Sequence, residues 1–359
     1  MADRSDLMAF VSQVGGDAHL RVEESLGSGY VRLRVAEAER RQARHDIRCV
    51  EDMVIEMLRN ARDAGAAHIY VASSREGNLR TITMLDDGVG IPKDMHDKVF
   101  EARVTSKLDS MHMDRWGVHG RGMALYAVRE NAVSACVTSS DEGLGTAMQV
   151  VANTITLPER TDQSSWPRVG TSDDGMPDVV RGPHNIIRTC CEFALEEHGS
   201  LEVYLGSPSE IVATARHRVR PRVGSNQMLF ANDLGTLPVL ERLAVASDAM
   251  ELRDVAAGLG LEMSERTAHR IVSGQIRPQR SVYSMLVGQR GVQAGRDVDL
   301  MADPRGLRLA AEDVSEFSGI MERGFDFLAS RYYLRLCEDP RIRVSHGRVT
   351  VTFEFEDDG

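Results

Sequence analysis

One stretch constrains this chain more than any other: EMLRNARDAGA, Glu56 to Ala66. At about 100° per residue, Glu56, Asn60 and Asp63 fall within roughly 60° of one another on one face of a helix. Val54, Ile55, Met57 and Leu58 give the other face a core stripe. Surface helices scatter their polar groups, so an acid, an amide and an acid in one narrow stripe mark a site. Gly65 ends the helix where a left-handed residue is needed.

The rest of the chain must supply what such a helix packs against. Its 359 residues suggest two or three domains, and 42% hydrophobic with 27% charged residues is the balance of a globular protein. No apolar run approaches the roughly 20 residues of a membrane helix, and MADRSDLMAF lacks the apolar stretch of a signal peptide. Five cysteines (Cys49, Cys136, Cys190, Cys191, Cys337) show no CxxC spacing, so a reducing cytoplasm without structural zinc is expected. A net charge of −11 argues against wholesale coating of nucleic acid but leaves room for a local basic surface.

Residues 1–29 end in the Gly-rich LGSGY and read as an arm or linker. From Val31 to about Ala64 the pattern is helical, with a break near His45-Asp46. AHIYVASS and RTITMLDDG, around Gly77-Asn78, give a hairpin signal. MALYAVRENA is a short helix, and ACVTSS and GTAMQVVANTI are strands around DEGLG. Residues 158–184 are rich in Pro, Gly, Ser and Asp and read as a linker or long loop. A helix is expected over Asn185 to Glu197, then the strand LEVYLG. Residues 237–290 look mostly helical, a further helix covers Ala311 to Leu336, and RIRVSHGRVTVTFEFEDD is a hairpin turning near His346-Gly347.

Three clusters follow one another in the first half. Glu56, Asn60 and Asp63 share a helix face. DDGVGI puts Asp86, Gly88 and Gly90 at a strand end. GVHGRG puts Gly117, Gly120 and Gly122 before a helix. An aspartate followed by glycines can accept a hydrogen bond from an exocyclic amine such as that of adenine. Glycines ahead of a helix leave backbone N–H groups free for phosphate oxygens. An Asn oxygen suits Mg²⁺ that keeps waters and phosphate ligands, and a Glu one turn earlier can polarise a water for attack on a γ-phosphate. The 26 residues between Gly90 and Gly117 have the length of a lid.

In this order the clusters resemble the GHKL ATPase superfamily, which includes gyrase-type topoisomerases, Hsp-type chaperones, histidine kinases and MutL-type proteins. ExxxNxxDA matches its first motif, Asp86-x-Gly88-x-Gly90 its second, Gly117-x-x-Gly120-x-Gly122 its third and Gly145-Thr146 its fourth, where Thr supports the adenine. The resemblance covers about residues 45–157. It implies a two-layer α/β sandwich with a mixed, mostly antiparallel sheet, followed here by a mixed α/β C-terminal region with a helical segment. It also implies ATP and Mg²⁺, with Asn60 holding the metal and Glu56 favouring hydrolysis over phosphotransfer. NARDAGA and VTSKL look most like the MutL-type pattern, by which Lys107 reaches phosphate. The third motif departs from that type: His119 and Arg121 replace a different pair, and Arg121 is either a phosphate partner or a solvent-facing side chain.

The predicted organisation is an N-terminal arm or helix (1–44), an ATP-binding domain (45–157), a linker or loop (158–184), a small α/β segment (185–236), a helical segment (237–300) and a C-terminal helix with a β-hairpin (301–359). RHDIR (44–48) is similar to a histidine-kinase acceptor box with His45 as acceptor. It lies only 15 residues before Asn60, too close for a separate acceptor hairpin. In LRDVAAGLGLEMSERTAHRIVSGQIRP, Ala256 and Gly260 have the spacing of a helix-turn-helix. The segment resembles phage-repressor-type modules, with a turn about two residues longer. Ser264 would cap the second helix, and Arg266, His269 and Arg270 are its candidate DNA contacts. ARHRVRPR (215–222) adds candidate phosphate contacts. The expectation is a slow, Mg²⁺-dependent ATPase acting as a conformational switch, homodimeric, with DNA or a protein client as partner and no membrane. The alternatives are a histidine-kinase-like phosphotransferase and a non-hydrolysing interaction module.

Overall fold

Residues 22–106, 112–119, 122–160, 162–171, 177–221, 234–290, 311–332, 334–345 and 348–357 are described by a computed structural model of the chain. In chain order it opens with β1 (Val22–Gly27), β2 (Tyr30–Leu33), α1 (Glu37–Asp46), α2 (Val50–Asp63), β3 (His68–Glu76) and β4 (Leu79–Asp86). Two single-turn 3-10 helices (Lys93–Met95 and Lys98–Phe100) lead to β5 (Val104–Thr105), β6 (His112–Asp114), β7 (Gly117–His119) and α3 (Ala124–Asn131). Then come β8 (Ser134–Ser140), β9 (Thr146–Asn153), β10 (Arg168–Thr171), β11 (Pro177–Arg181), α4 (Ile186–Glu196) and β12 (Glu202–Gly206). The helices α5 (Pro208–Arg218), α6 (Val239–Val245), α7 (Ala249–Gly258), α8 (Glu265–Val272) and α9 (Val282–Arg290) complete the first of two units, Met1–Arg290.

The unit is organised by a five-stranded sheet of order β12-β3-β4-β9-β8. Its strands pair antiparallel except β12, which runs parallel to β3. Because successive side chains in a strand point to opposite faces, the sheet serves two cores. Ile69, Val71, Ile82, Met84, Met148 and Val150 pack with α2, α3 and α4. This is the α/β sandwich the motifs imply. Tyr70, Ala72, Leu85, Ala147 and Tyr204 face the other way, onto α5, α6, α7 and α8. The helical segment therefore covers the back of the same sheet. Gly260, in the turn between α7 and α8, accepts hydrogen bonds through its carbonyl from Thr83 Oγ1 and Gln149 Nε2, each at 2.8 Å.

The helix α2 forms as its sequence dictates. Val50, Met53, Val54, Met57, Leu58 and Ala61 are buried along one stripe. Gly65, at φ +72°, turns the chain out, with its N–H donating to the Arg62 carbonyl at 2.8 Å. Its N-terminal neighbour departs from expectation. The helical pattern read from Val31 is corrected at its start: Tyr30–Leu33 is a strand, and helix starts only at Glu37, with the expected break falling after Asp46. Val31 and Leu33 are buried at a spacing of two, the period of a strand. LGSGY is the turn of a β1–β2 hairpin, with Gly27, Ser28 and Gly29 all at positive φ. Residues 158–184 likewise contain the antiparallel β10–β11 pair.

In the second unit, Gly291–Gly359, α10 (Ala311–Tyr332) precedes β13 (Leu334–Leu336), β14 (Arg341–Ser345), β15 (Arg348–Thr352) and β16 (Phe355–Asp357). The hairpin β14–β15 is antiparallel as expected, and the residues of its turn, His346 and Gly347, lie outside the described residues. Phe325 of α10 stacks on Phe353 with ring centroids 5.1 Å apart.

Candidate functional site

Between α2 and the front face of the sheet lies a cleft. Its wall includes Asn60 and Asp63 from α2, its floor Asp86 and Thr146, and its rim Gly90, Ser106 and Gly122. Sheet register makes the floor: in the β4–β9 ladder Asp86 stands opposite Thr146, and Met84 opposite Met148. Asp86 and Thr146 are 6% and 5% exposed, so both polar groups are committed to the cleft's interior. Asp86 Oδ1 accepts the Gly88 N–H at 2.9 Å.

Two close backbone approaches hold the rim. A Cβ on Gly90 would lie 1.9 Å from the Asp141 carbonyl oxygen, and one on Gly145 would lie 2.2 Å from the Asp86 oxygen. Both glycines have positive φ. Stitching across the gap, Gly143 N–H donates to the Val89 carbonyl at 2.7 Å. Ile91 N–H donates to Ser140 Oγ at 2.7 Å, and Ser140 Oγ donates to the Gly145 carbonyl at 2.8 Å. The loop after β4 and the turn before β9 are thus one piece.

The two acids of DDG do different work. Asp87 turns away from the cleft, and its Oδ1 accepts the backbone N–H groups of Ala67 and His68 at 2.8 Å each. Burial alone would raise its carboxyl. The His68 ring, 2.7 Å away, and these N–H groups outweigh burial and hold it below the usual carboxylate value. The same hydrogen bond raises the His68 imidazole. Asp87 is an anchor for the loop that carries Asp86.

Glu56 lies one turn before Asn60, and its carboxylate accepts from Arg59 Nη1 at 2.7 Å. Asn60 Nδ2 donates to the Glu56 carbonyl at 2.8 Å, which fixes the amide and turns its oxygen away from the helix. Gly117 and His119 belong to β7, in a hairpin with β6. Lys107, Gly120 and Arg121 lie outside the described residues. The segment expected as a lid is anchored at its start by Met95, Val99 and Phe100, all buried.

Sequence reasoning missed Tyr30, which lines the cleft from β2. It reaches the site because β2 pairs with β5, Val31 opposite Thr105. The signal was the Val31–Leu33 alternation behind two glycines. Met57, Met84 and Met148 were missed as well; they line the cleft as apolar surface.

On the back of the sheet, Ser264 caps α8 by accepting the Thr267 N–H, and Arg266, His269 and Arg270 are exposed on its outer side. They are separate from the cleft.

Residues 45–160 match the family model of histidine kinase-, DNA gyrase B- and HSP90-like ATPases. With the cleft built as described, this stretch is a GHKL ATPase domain, and such a domain implies ATP binding. Among similar proteins is the DNA mismatch repair protein MutL of Thermus aquaticus, 43% identical over 84 residues, which cover 23% of this chain and 15% of the relative. MutL of Thermus thermophilus is 41% identical over 83 residues, covering 23% and 15%. MutL of Thermodesulfovibrio yellowstonii is 33% identical over 106 residues, covering 29% and 19%. The likeness therefore spans less than a fifth of these relatives and is confined to part of this chain. Among the described residues, no helix is long and apolar enough to cross a membrane.

Proposed function

We propose that the domain binds ATP with Mg²⁺ in this cleft, hydrolyses it slowly, and uses the bound nucleotide to switch the conformation of the chain. The observation that carries this reading is the Asp86–Thr146 pair, buried at the floor of a cleft walled by Asn60 and Asp63. Asp86 accepts the exocyclic amine of adenine, and Thr146 supports the ring edge. Met57, Met84 and Met148 give the base an apolar bed. Backbone N–H groups near Gly122 and the start of α3 face the phosphates, joined by Lys107, His119 and Arg121 of the segment before them. The donor set suits Mg²⁺ bound mainly through phosphates and water: Asn60 presents one neutral oxygen. When bound, the ion neutralises phosphate charge and orients the γ-phosphate. Glu56 orients a water and takes its proton.

The non-hydrolysing reading has one observation of its own: Glu56 is paired with Arg59 and lies outside the residues lining the cleft. Glu56→Ala separates the two. Calorimetry is expected to find ATP affinity within about threefold of the parent, while phosphate release falls about 100-fold or more. Unchanged release ends the hydrolase reading. Radiolabelled ATP tests phosphotransfer in the same samples, because acid-labile label on the protein would assign a kinase.

We place the partner on the back of the sheet. The exposed side of α8, with Arg266, His269 and Arg270, supports contact with duplex DNA. Fluorescence anisotropy with a labelled duplex is expected to show binding at low salt that weakens steeply as salt rises. It should drop about tenfold in Arg266→Ala/Arg270→Ala, and no binding at low salt removes DNA from the proposal in favour of a protein client. The switch we propose acts within a homodimer. Five free cysteines, among them Cys190 and Cys191 in the core, fit a reducing cytoplasm.

A further inference from the structure

Around Glu56 lies a buried charge cluster that the nucleotide site alone does not require. Arg59, whose side chain is 4% exposed, stands between two carboxylates. Its Nη1 donates to Glu56 Oε1 at 2.7 Å, while Nε donates to Asp114 Oδ2 at 2.9 Å and Nη2 to Asp114 Oδ1. The guanidinium therefore grips Asp114 with both prongs of its fork and Glu56 with the remaining nitrogen.

Asp114 does not belong to the helix. It ends β6, in the hairpin with β7, and this hairpin is seated on the helical layer by several contacts. Arg62 Nη1 donates to Asp114 Oδ2 at 3.2 Å and to Glu197 Oε1 at 3.0 Å. Trp116 packs near Phe193 of α4, ring centroids 6.1 Å apart, with Arg59 5.8 Å from the centre of its ring. Trp116 N–H closes the turn by donating to Asp114 Oδ1 at 3.0 Å. Burial would raise the Asp114 carboxyl, but the Arg59 hydrogen bonds and charge overcome it and hold the group ionised.

We propose that Arg59 is a positioning residue that ties the orientation of Glu56 to the seating of the β6–β7 hairpin, with Asp114 as the element it senses. This deepens the hydrolase reading above and rests on it. A fork fixed by Asp114 holds its third nitrogen, and with it the Glu56 carboxylate, in one place. Without Asp114 the guanidinium follows Glu56 as a mobile i,i+3 pair, and the carboxylate is no longer set for an attacking water. Hydrolysis is thereby conditional on a seated hairpin, while the adenine contacts at Asp86 and Thr146, which lie on the sheet, are not.

A double-mutant cycle on kcat tests this, because it isolates what one residue does through another. In the full chain, Asp114→Asn and Arg59→Gln are each expected to lower kcat, read at saturating ATP, about tenfold or more, while ATP affinity by calorimetry changes by less than kcat does. The double variant should be no slower than Arg59→Gln alone. Trp116→Leu loosens the same hairpin through a different contact, and should lower kcat without adding to Asp114→Asn; it carries the test if an ion-cluster variant fails to fold. Unchanged kcat in Asp114→Asn, or losses that multiply in the double variant, overturn the proposal. A parent protein that binds ATP and releases no phosphate would end the hydrolase reading instead, so the two failures are distinct.

Discussion

Asp86→Asn is expected to weaken ATP binding about 100-fold while leaving the melting temperature of the nucleotide-free protein nearly unchanged. The substitution keeps size and shape, so the Gly88 N–H still finds an oxygen at the Asp86 position. What changes is the other side of the group. A carboxylate offers acceptors only, whereas an amide either presents an NH₂ to the exocyclic amine or surrenders the Gly88 bond to avoid doing so. A hydrogen bond to a charged group contributes about 1.5–3 kcal/mol, and a site built around a buried polar group loses more when its partner is mismatched. Burial of Asp86 and Thr146 in the floor leaves little room for water to repair the mismatch. Titration calorimetry with ATP and Mg²⁺ reads the effect directly, and thermal unfolding without nucleotide controls for folding. GTP, which presents an oxygen where adenine has its amine, should bind the parent poorly and lose less on substitution. An Asp86→Asn variant that binds ATP as the parent does would remove Asp86 from base recognition.

The legibility of this site in the sequence follows from the range of the interactions that make it. The stripe of Glu56, Asn60 and Asp63 is local, since one helix period places them, and Asn60 and Asp63 line the cleft as that period requires. Asp86 at its strand end, with glycines after it, is also local. The facing of Asp86 and Thr146 is long-range, yet it is set by register once β4 and β9 pair along eight positions. The resemblance assigned Thr146 to the adenine, but neither it nor periodicity named the pairing of these two strands.

Other features left weaker traces. Tyr30 joins the site through a pairing of β2 with the two-residue strand β5, for which no local pattern exists. Glu56 was read from its place one turn before Asn60, as the group that polarises a water. Its partner Arg59 was visible at i,i+3, but the competing carboxylate Asp114 lies 55 residues away on a hairpin. The parallel addition of β12 to β3, and the layer of α5 to α8 behind the sheet, depend on which face of each strand finds an apolar partner. Tyr70 and Tyr204, stacked 4.8 Å apart, are where that second face is decided. Alternating strands buried on both sides read as near-continuous apolar runs, and such runs do not say what covers them.

The close backbone crossing at Gly90 sets the second large effect. Gly90→Ala is expected to destabilise the first unit by about 4 kcal/mol and to abolish measurable ATP binding. Holding a non-glycine residue in the left-handed region costs about 1–3 kcal/mol, and Gly90 sits at φ +78°. A second cost comes from space: the new methyl would meet the Asp141 carbonyl oxygen at 1.9 Å, with the Gly145 oxygen at 3.2 Å behind it. Neither is the tip of a flexible side chain, so the loop and the turn must separate, at about 1–3 kcal/mol by analogy with overpacked cores. That separation would break the Gly143–Val89 and Ile91–Ser140 hydrogen bonds and pull the Asp86 loop off the β9 end of the floor. Gly77→Ala isolates the two costs. Gly77 has φ +56° in the β3–β4 turn and nothing within 4 Å of the added carbon, so only the conformational part, about 1–2 kcal/mol, should appear. Urea unfolding of both variants gives the difference. If Gly90→Ala costs no more than Gly77→Ala and ATP still binds, the two segments do not cross at van der Waals contact, and the cleft's rim is not built as described.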